Sequence, residues 1–339
     1  MLKRGFKPIV IITSGDPAGI GPEIIASIFS NNEIINRAFF FVIGDEVAFR
    51  YYLGEKINIV QKKEDYKENF LNLISVSKIK NLKPGSPTKD TALSSYIALK
   101  KAMELIKGGF SKVLVTAPIH KKGIIEAGIK FTGHTEFLKK SSATKDVLMS
   151  FYSKKLFVGT VTTHVPLFKV SKLITYDSVK GKIEIALRFI KHYFNKANPS
   201  IAVLGLNPHA GEGGKIGHED EAVLKPLCLS LKKEGINITG PVSADVAFYD
   251  AYNGKYDFVL GMYHDQVLAP FKMLYFDRGV NVTMGLPFIR TSPDHGTAFD
   301  IAGKGVSSKI SMVNAIKLAL NLAKNGGLKN EDKFWNRWF

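Results

Sequence analysis

Three histidines stand just past short apolar runs, in Val161-Thr162-Thr163-His164, Leu206-Asn207-Pro208-His209 and Gly261-Met262-Tyr263-His264. Neutral imidazole is a good ligand for Zn²⁺ and related divalent ions, and three protein ligands leave a position free for substrate. If the apolar runs are strands of an open α/β sheet, their carboxyl ends share the edge where ligands bind. The three rings could then converge although 45 and 55 residues separate them. Spacing alone leaves open a second reading, three unrelated capping or hydrogen-bonding histidines, because ligands so far apart carry no local signature. His218-Glu219 is not the start of a His-Glu-x-x-His zinc motif, since position 222 is Ala222.

Four other segments have the composition of ligand-binding loops. The first apolar run enters Gly15-Asp16-Pro17-Ala18-Gly19-Ile20-Gly21-Pro22-Glu23, a tight strand-to-helix passage with proline placed for the first helical turn. It matches neither the Gly-x-Gly-x-x-Gly dinucleotide fingerprint nor a phosphate loop, and the glycines near Gly211 also miss that fingerprint, because position 216 is Ile216. Gly133-His134-Thr135-Glu136 precedes a helical pattern, so either Thr135 is a plain N-cap or His134 and free amides face an anion. Lys272, Asn281 and Arg290 flank the strand-like Val280–Met284 and could hold a phosphate and a carboxylate, or each could be an ordinary surface residue. His295–Gly305 reads as a loop entering a helix. There Asp300 either caps the helix or accepts from a ribose hydroxyl, where it would repel a 2′-phosphate.

The elements that must position these residues follow from an alternation of short apolar runs with longer amphipathic stretches, the rhythm of an α/β chain built on largely parallel strands. Strands are expected at Ile9–Thr13, Phe39–Ile43, Lys112–Thr116, Leu156–Val161, Ile201–Leu206 and Phe258–Met262. Helices are expected at Thr91–Ile106, Ser178–Phe194, Glu221–Lys233 and Lys309–Lys324, with Pro226 tolerable only near the start of the third. The Pro84-Gly85-Ser86-Pro87 cluster is short enough to be a turn, so no linker marks a boundary and the chain is expected to cross between two lobes near 125 and 275.

The 339 residues suffice for two lobes, and a single cysteine, Cys228, excludes an intrachain disulfide or a Cys-x-x-Cys site and points to a reducing compartment such as the cytoplasm. The cations Lys3, Arg4 and Lys7 precede an apolar run too short for a signal-peptide core, and no segment approaches membrane-spanning length. The net charge of +17 comes almost wholly from scattered lysines, with seven arginines and no basic stripe, so nucleic acid is not an expected partner.

Taken together, Gly15–Glu23, Thr116-Ala117-Pro118-Ile119, Gly133–Glu136, Leu206–Glu212, Ser243-Ala244-Asp245, Tyr263-His264-Asp265-Gln266 and Gly285–Gly305 resemble the 4-hydroxythreonine-4-phosphate dehydrogenase family of pyridoxal phosphate biosynthesis, over nearly the whole chain. Three positions depart from the family pattern: Ser14 stands where proline is usual, His120 where asparagine is usual and Val246 where threonine is usual. The resemblance implies an α/β fold of two α/β/α lobes like isocitrate and isopropylmalate dehydrogenases, with the active site in the cleft between them and completed across a homodimer. Residues 1–125 with 276–339 would form a cofactor-binding lobe, and 126–275 a metal-binding and dimerisation lobe. It makes His164, His209 and His264 the ligands of a divalent ion, with His264 reaching in from a neighbouring subunit. Zn²⁺ is favoured, with Mg²⁺ or Co²⁺ as alternatives. His134, Thr135, Lys272, Asn281 and Arg290 would hold a phosphorylated substrate, with Asp245, Asp265 and Lys272 catalytic or orienting. His295, Gly296, Thr297 and Asp300 would hold the cofactor, NAD rather than NADP because of the acidic Asp300.

Overall fold

Twelve strands run through the described residues: β1 (Ile9–Thr13), β2 (Phe39–Asp45), β3 (Ile57–Ile59), β4 (Leu71–Ser77), β5 (Val113–Thr116), β6 (Leu148–Ser153), β7 (Leu156–Thr160), β8 (Ile201–Leu204), β9 (Ile238–Val242), β10 (Phe258–Gly261), β11 (Val280–Met284) and β12 (Ile289–Pro293). The computed structural model describes residues 7–29, 32–62 and 65–328, so Lys3 and Arg4 lie outside the described residues. Two compact units form, one from Met1–Thr144 with Leu286–Phe339, the other from Lys145–Gly285.

In the first unit the strand order is β3-β4-β2-β1-β5-β12, and every pairing is parallel. Such strands are covered on both faces, which is why β1 reads as an unbroken Ile-Val-Ile-Ile-Thr and is buried at all five positions. The helix Lys89–Lys107 packs on β1, β2 and β4 through Ala98, Leu99, Ala102 and Met103, and opens with a capping box between Thr88 and Thr91. The closing helix Ile310–Asn325 lies on β12 and β5. The Pro84–Pro87 cluster is a turn, as expected.

In the second unit the order is β11-β6-β7-β10-β8-β9. Here β11, β6 and β7 are antiparallel to one another, and β7, β10, β8 and β9 are parallel. The β6–β7 hairpin turns at Lys154-Lys155, with Ser153 opposite Leu156, and lacks the Asn-Gly or Gly-x signal that marks most two-residue hairpins. Phe151, Val158, Leu204, Val259 and Phe271 form the centre of this unit's core.

The crossings between units lie later in the chain than 125 and 275. Phe131 and Phe137 stack against Tyr96 of the first unit, carrying the helix His134–Ser141 with them, and β11 pairs with β6 and so stays in the second. The expected helix Glu221–Lys233 is a π-helical turn at Asp220–Leu224 followed by an α-helix at Lys225–Lys233, with Pro226 in its first turn, where a missing N–H costs nothing. No helix among the described residues is long and apolar enough to cross a membrane.

Candidate functional site

In the first unit, four loops interlock beyond the carboxyl ends of β1, β5 and β12. Asp16 N–H donates to the Pro118 carbonyl at 2.9 Å, Ile20 N–H to the Thr297 carbonyl at 2.9 Å, and Gly85 N–H to the Ala18 carbonyl at 2.7 Å. Gly15 has φ +72°, and a Cβ there would sit 2.1 Å from the Pro118 oxygen, so only glycine lets these segments approach. Glu23, nearly buried, accepts from Gly303 N–H at 2.7 Å and ties the 295–305 segment to the first helix. Asp16 is fully buried. Burial raises its pKa against the opposing pull of the Ala18 N–H, Thr91 and His120.

His295, Gly296, Thr297 and Asp300 all lie on this ledge. The segment runs through turns as far as Gly305, and the helix begins only at Ile310. The capping reading of Asp300 therefore fails: its carboxylate is exposed on a turn.

Arg290 on β12 is only 4% exposed, and its Nη2 donates to Thr116 Oγ1 at 2.9 Å. Burial pulls the guanidinium down to about 10, and the charge of Glu136 pulls it back up. Beside it, burial and then the Arg290 charge hold His134 well below the ordinary imidazole range, so the ring is neutral, and its Nε2 is buried with no hydrogen-bond partner. Thr135 does not cap the helix. Gly133, at φ 145°, is the N-cap with no side-chain hydrogen bond, which leaves the first amides to another acceptor. A buried cation, an unpartnered imidazole nitrogen and uncapped amides make an anion-binding corner.

The second unit holds His164, His209, His264, Asp245, Asp265, Lys272 and Asn281. The His164 and His264 rings of one chain lie 5.8 Å apart between centroids. His264 Nδ1 is engaged by Asp265 Oδ1 at 2.7 Å, so any further contact of the ring falls to Nε2. His209 lies close enough to Asp245 to help lower its pKa, a shift due first to Ser243 Oγ donating at 2.5 Å and then to Val246 N–H. Among the described residues of one chain no group of three or more His, Cys, Asp or Glu side chains gathers around a common point. The donor chemistry of these imidazoles fits a divalent ion. Lys272 lies over the Phe276 ring at 5.7 Å, and Asn281 stands opposite Phe151 on β11.

His209 opens a run of left-handed residues, with φ 51°, 52°, 76°, 44° and 68° from His209 to Gly213. For a non-glycine residue this conformation costs roughly 1–2 kcal/mol, so the surroundings must hold it.

Each of the three departures has a local setting. Ser14 N–H donates to the Ile43 carbonyl at 2.9 Å, a bond that proline cannot make, and so extends the β1–β2 ladder by one residue. His120 packs edge-on to Phe299 at 5.2 Å and leads into the short helix Lys121–Glu126. Val246 is exposed. Site residues that sequence reasoning passed over are Asp16, Glu23, Thr116, Glu136, Asn207 and Asp220. Asp16, Glu23, Thr116, Glu136 and Asn207 lie within motifs already singled out, but nothing in those motifs marks their roles, and Asp220 is a buried acid that no motif contains.

A sequence profile described as "Pyridoxal phosphate biosynthetic protein PdxA" matches residues 35–319. A Geobacter metallireducens protein named 4-hydroxythreonine-4-phosphate dehydrogenase is 41% identical over 330 residues, covering 95% of this chain and 97% of that one. A Pectobacterium atrosepticum protein named D-threonate 4-phosphate dehydrogenase is 40% identical, covering 93% and 99%. The 4-hydroxythreonine-4-phosphate dehydrogenase of Klebsiella pneumoniae superposes with a TM-score of 0.84 at 34% identity, covering 95% of this chain and 99% of that one.

Proposed function

From the premise that the chain belongs to the pyridoxal phosphate biosynthetic protein PdxA family, we propose that it oxidises 4-phosphohydroxy-L-threonine with NAD. The product is 2-amino-3-oxo-4-phosphooxybutanoate. NAD, when bound, would supply the hydride acceptor for C3, the hydroxyl proton would go to a base of the protein, and the new carbonyl, β to the carboxylate, would accept the electrons of the breaking C–C bond. Loss of CO₂ and uptake of a proton give 3-amino-2-oxopropyl phosphate.

The observation that carries this reading is the corner formed by Arg290, His134 and the uncapped start of the helix His134–Ser141, which suits a phosphate monoester. Arg290 and His134 grip its oxygens, Thr135 contributes hydroxyl and amide, and Lys272 and Asn281 complete the substrate's ligands. Asp245, ionised and hydrogen-bonded to Ser243, is the proton acceptor, while Asp265 holds the His264 ring in one orientation. His164, His209 and His264 would hold a divalent ion, Zn²⁺ before Co²⁺ or Mg²⁺, which when bound supplies Lewis-acid polarisation of the C3 oxygen.

His264 is proposed to serve the site of a second copy in a homodimer. In support, the second unit exposes Phe168, Tyr249, Met273 and Phe276, each by more than 70%, an apolar load that a monomer rarely leaves bare. His295, Gly296, Thr297 and Asp300 are assigned to NAD. Replacing Asp300 with serine should lower the KM for NADP roughly tenfold by removing like-charge repulsion of a 2′-phosphate, and an unchanged NAD-to-NADP ratio in steady-state assays would sink this assignment.

The name of the Pectobacterium relative keeps one rival, a phosphorylated four-carbon hydroxy acid such as D-threonate 4-phosphate. NADH formation measured side by side on both substrates, after chelation and with divalent ion restored, decides between them. Turnover of 4-phosphohydroxy-L-threonine at least tenfold faster, and only with the ion, is expected. Faster turnover of threonate phosphate would overturn the substrate, and full activity after chelation would overturn the metal.

A further inference from the structure

We infer that Asp220, which no motif marks, is the positioning residue that holds His209 in place for the divalent ion. The inference rests on the reading of His209 as a ligand. Asp220 is fully buried, and among the described residues no lysine or arginine pairs with it. Its carboxylate is instead saturated by the loop that leads into His209: Oδ1 accepts from Leu206 N–H at 2.8 Å, and Oδ2 accepts from Asn207 N–H at 3.1 Å and Asn207 Nδ2 at 2.9 Å. All three partners are donors, so the position needs an acceptor-only group.

The surroundings close on the same carboxylate. A Cβ on Gly205 would lie 3.0 Å from Oδ1 and one on Gly211 3.2 Å from Oδ2, so the loop is wrapped around it on both sides of His209. Asn207 is secured a second time, with Nδ2 also reaching Glu219 Oε2 at 2.9 Å, while Glu219 Oε1 accepts from Ser171 Oγ at 2.6 Å. The left-handed run that begins at His209 has only its own short turns within Pro208–Gly214. With the chain fixed at Leu206 and Asn207 ahead of it and packed on Asp220 at Gly211 behind it, His209 keeps one direction. The π-helical turn Asp220–Leu224 is what brings the carboxylate inward at this point.

The test is Asp220→Asn, which keeps the volume but presents an NH₂ group to at least one of three donors. Co²⁺ is titrated into the metal-free full-length protein by calorimetry, with thermal melting and NAD binding measured on the same samples. The expected result is Co²⁺ affinity weaker by about 10- to 100-fold with NAD affinity unchanged. Asn207→Ala, which leaves the two backbone donors in place, should show a smaller loss and serves if the first variant does not fold. A lower melting temperature with wild-type Co²⁺ affinity in either variant makes Asp220 merely structural and overturns the inference. Equal Co²⁺ affinity in wild type and His209→Ala instead removes the ligand reading, and the inference with it.

Discussion

Replacing Arg290 with methionine should raise KM for the phosphorylated substrate about a hundredfold. The guanidinium is buried, with Thr116 Oγ1 as a hydrogen-bond partner and the charge of Glu136 acting on it. A methionine of similar length fills the space but leaves Thr116 Oγ1 and the Glu136 charge without this partner, so a lower melting temperature accompanies the change and substrate binding is read separately from it. The bound phosphate also loses: a buried charge-assisted contact is worth about 3 kcal/mol, close to two powers of ten in affinity. Two measurements check this. Inorganic phosphate should raise the melting temperature of the wild type but not of the variant, and activity on the unphosphorylated hydroxy amino acid should not respond to the substitution. A phosphate-induced shift that survives in the variant means the anion binds elsewhere. Removing the Arg290 charge should also let the His134 pKa rise, since that charge is the second cause of its depression.

Replacing His209 with alanine should lower kcat about a thousandfold, with NAD affinity preserved. Losing one of three imidazole ligands weakens ion binding and removes several kcal/mol of charge stabilisation at the reacting oxygen. Because His209 has φ 51°, the change also touches a strained backbone position. His209→Asn is therefore the companion variant, since asparagine tolerates the left-handed region far better than alanine. If both variants fall alike, ligand loss is the cause; recovery in the asparagine variant alone would trace the defect to the backbone. The wild type should lose turnover to a chelator and regain it with Zn²⁺ or Co²⁺, and neither variant should be rescued at the same ion concentration.

Which strands could be read from the sequence follows a physical division. β1, β2, β5, β7, β8 and β10 are runs of apolar, largely β-branched residues buried as they stand, so hydropathy finds them within a residue or two. β12, Ile-Arg-Thr-Ser-Pro, is buried at all five positions and has no such pattern. Two of its polar groups bond to other elements, Arg290 Nη2 to Thr116 Oγ1 and Thr291 Oγ1 to the Ala315 carbonyl. β6 hides in the same way, with Ser150 Oγ donating to the Val282 carbonyl, and β4 carries the buried Asn72, which bonds Asn58 and the Lys67 backbone. A buried polar side chain is stable only with partners, and partners on other elements leave no trace in the hydropathy of the strand itself.

The same division runs through the site. The sequence by itself determined the α/β class, the strand-end histidines, the Gly15–Glu23 turn and, through the order of several motifs, the family. These depend on residue type and short spacing, which local chemistry dictates. Only the tertiary structure decided that Gly133 rather than Thr135 begins the helix at the anion corner, that Asp300 sits on a turn rather than a cap, that Glu23 holds Gly303 and that Asp220 holds the chain before His209. The Glu23–Gly303 bond exists only after the chain has closed a separation of 280 residues, and the others turn on backbone geometry and burial that residue type alone does not dictate.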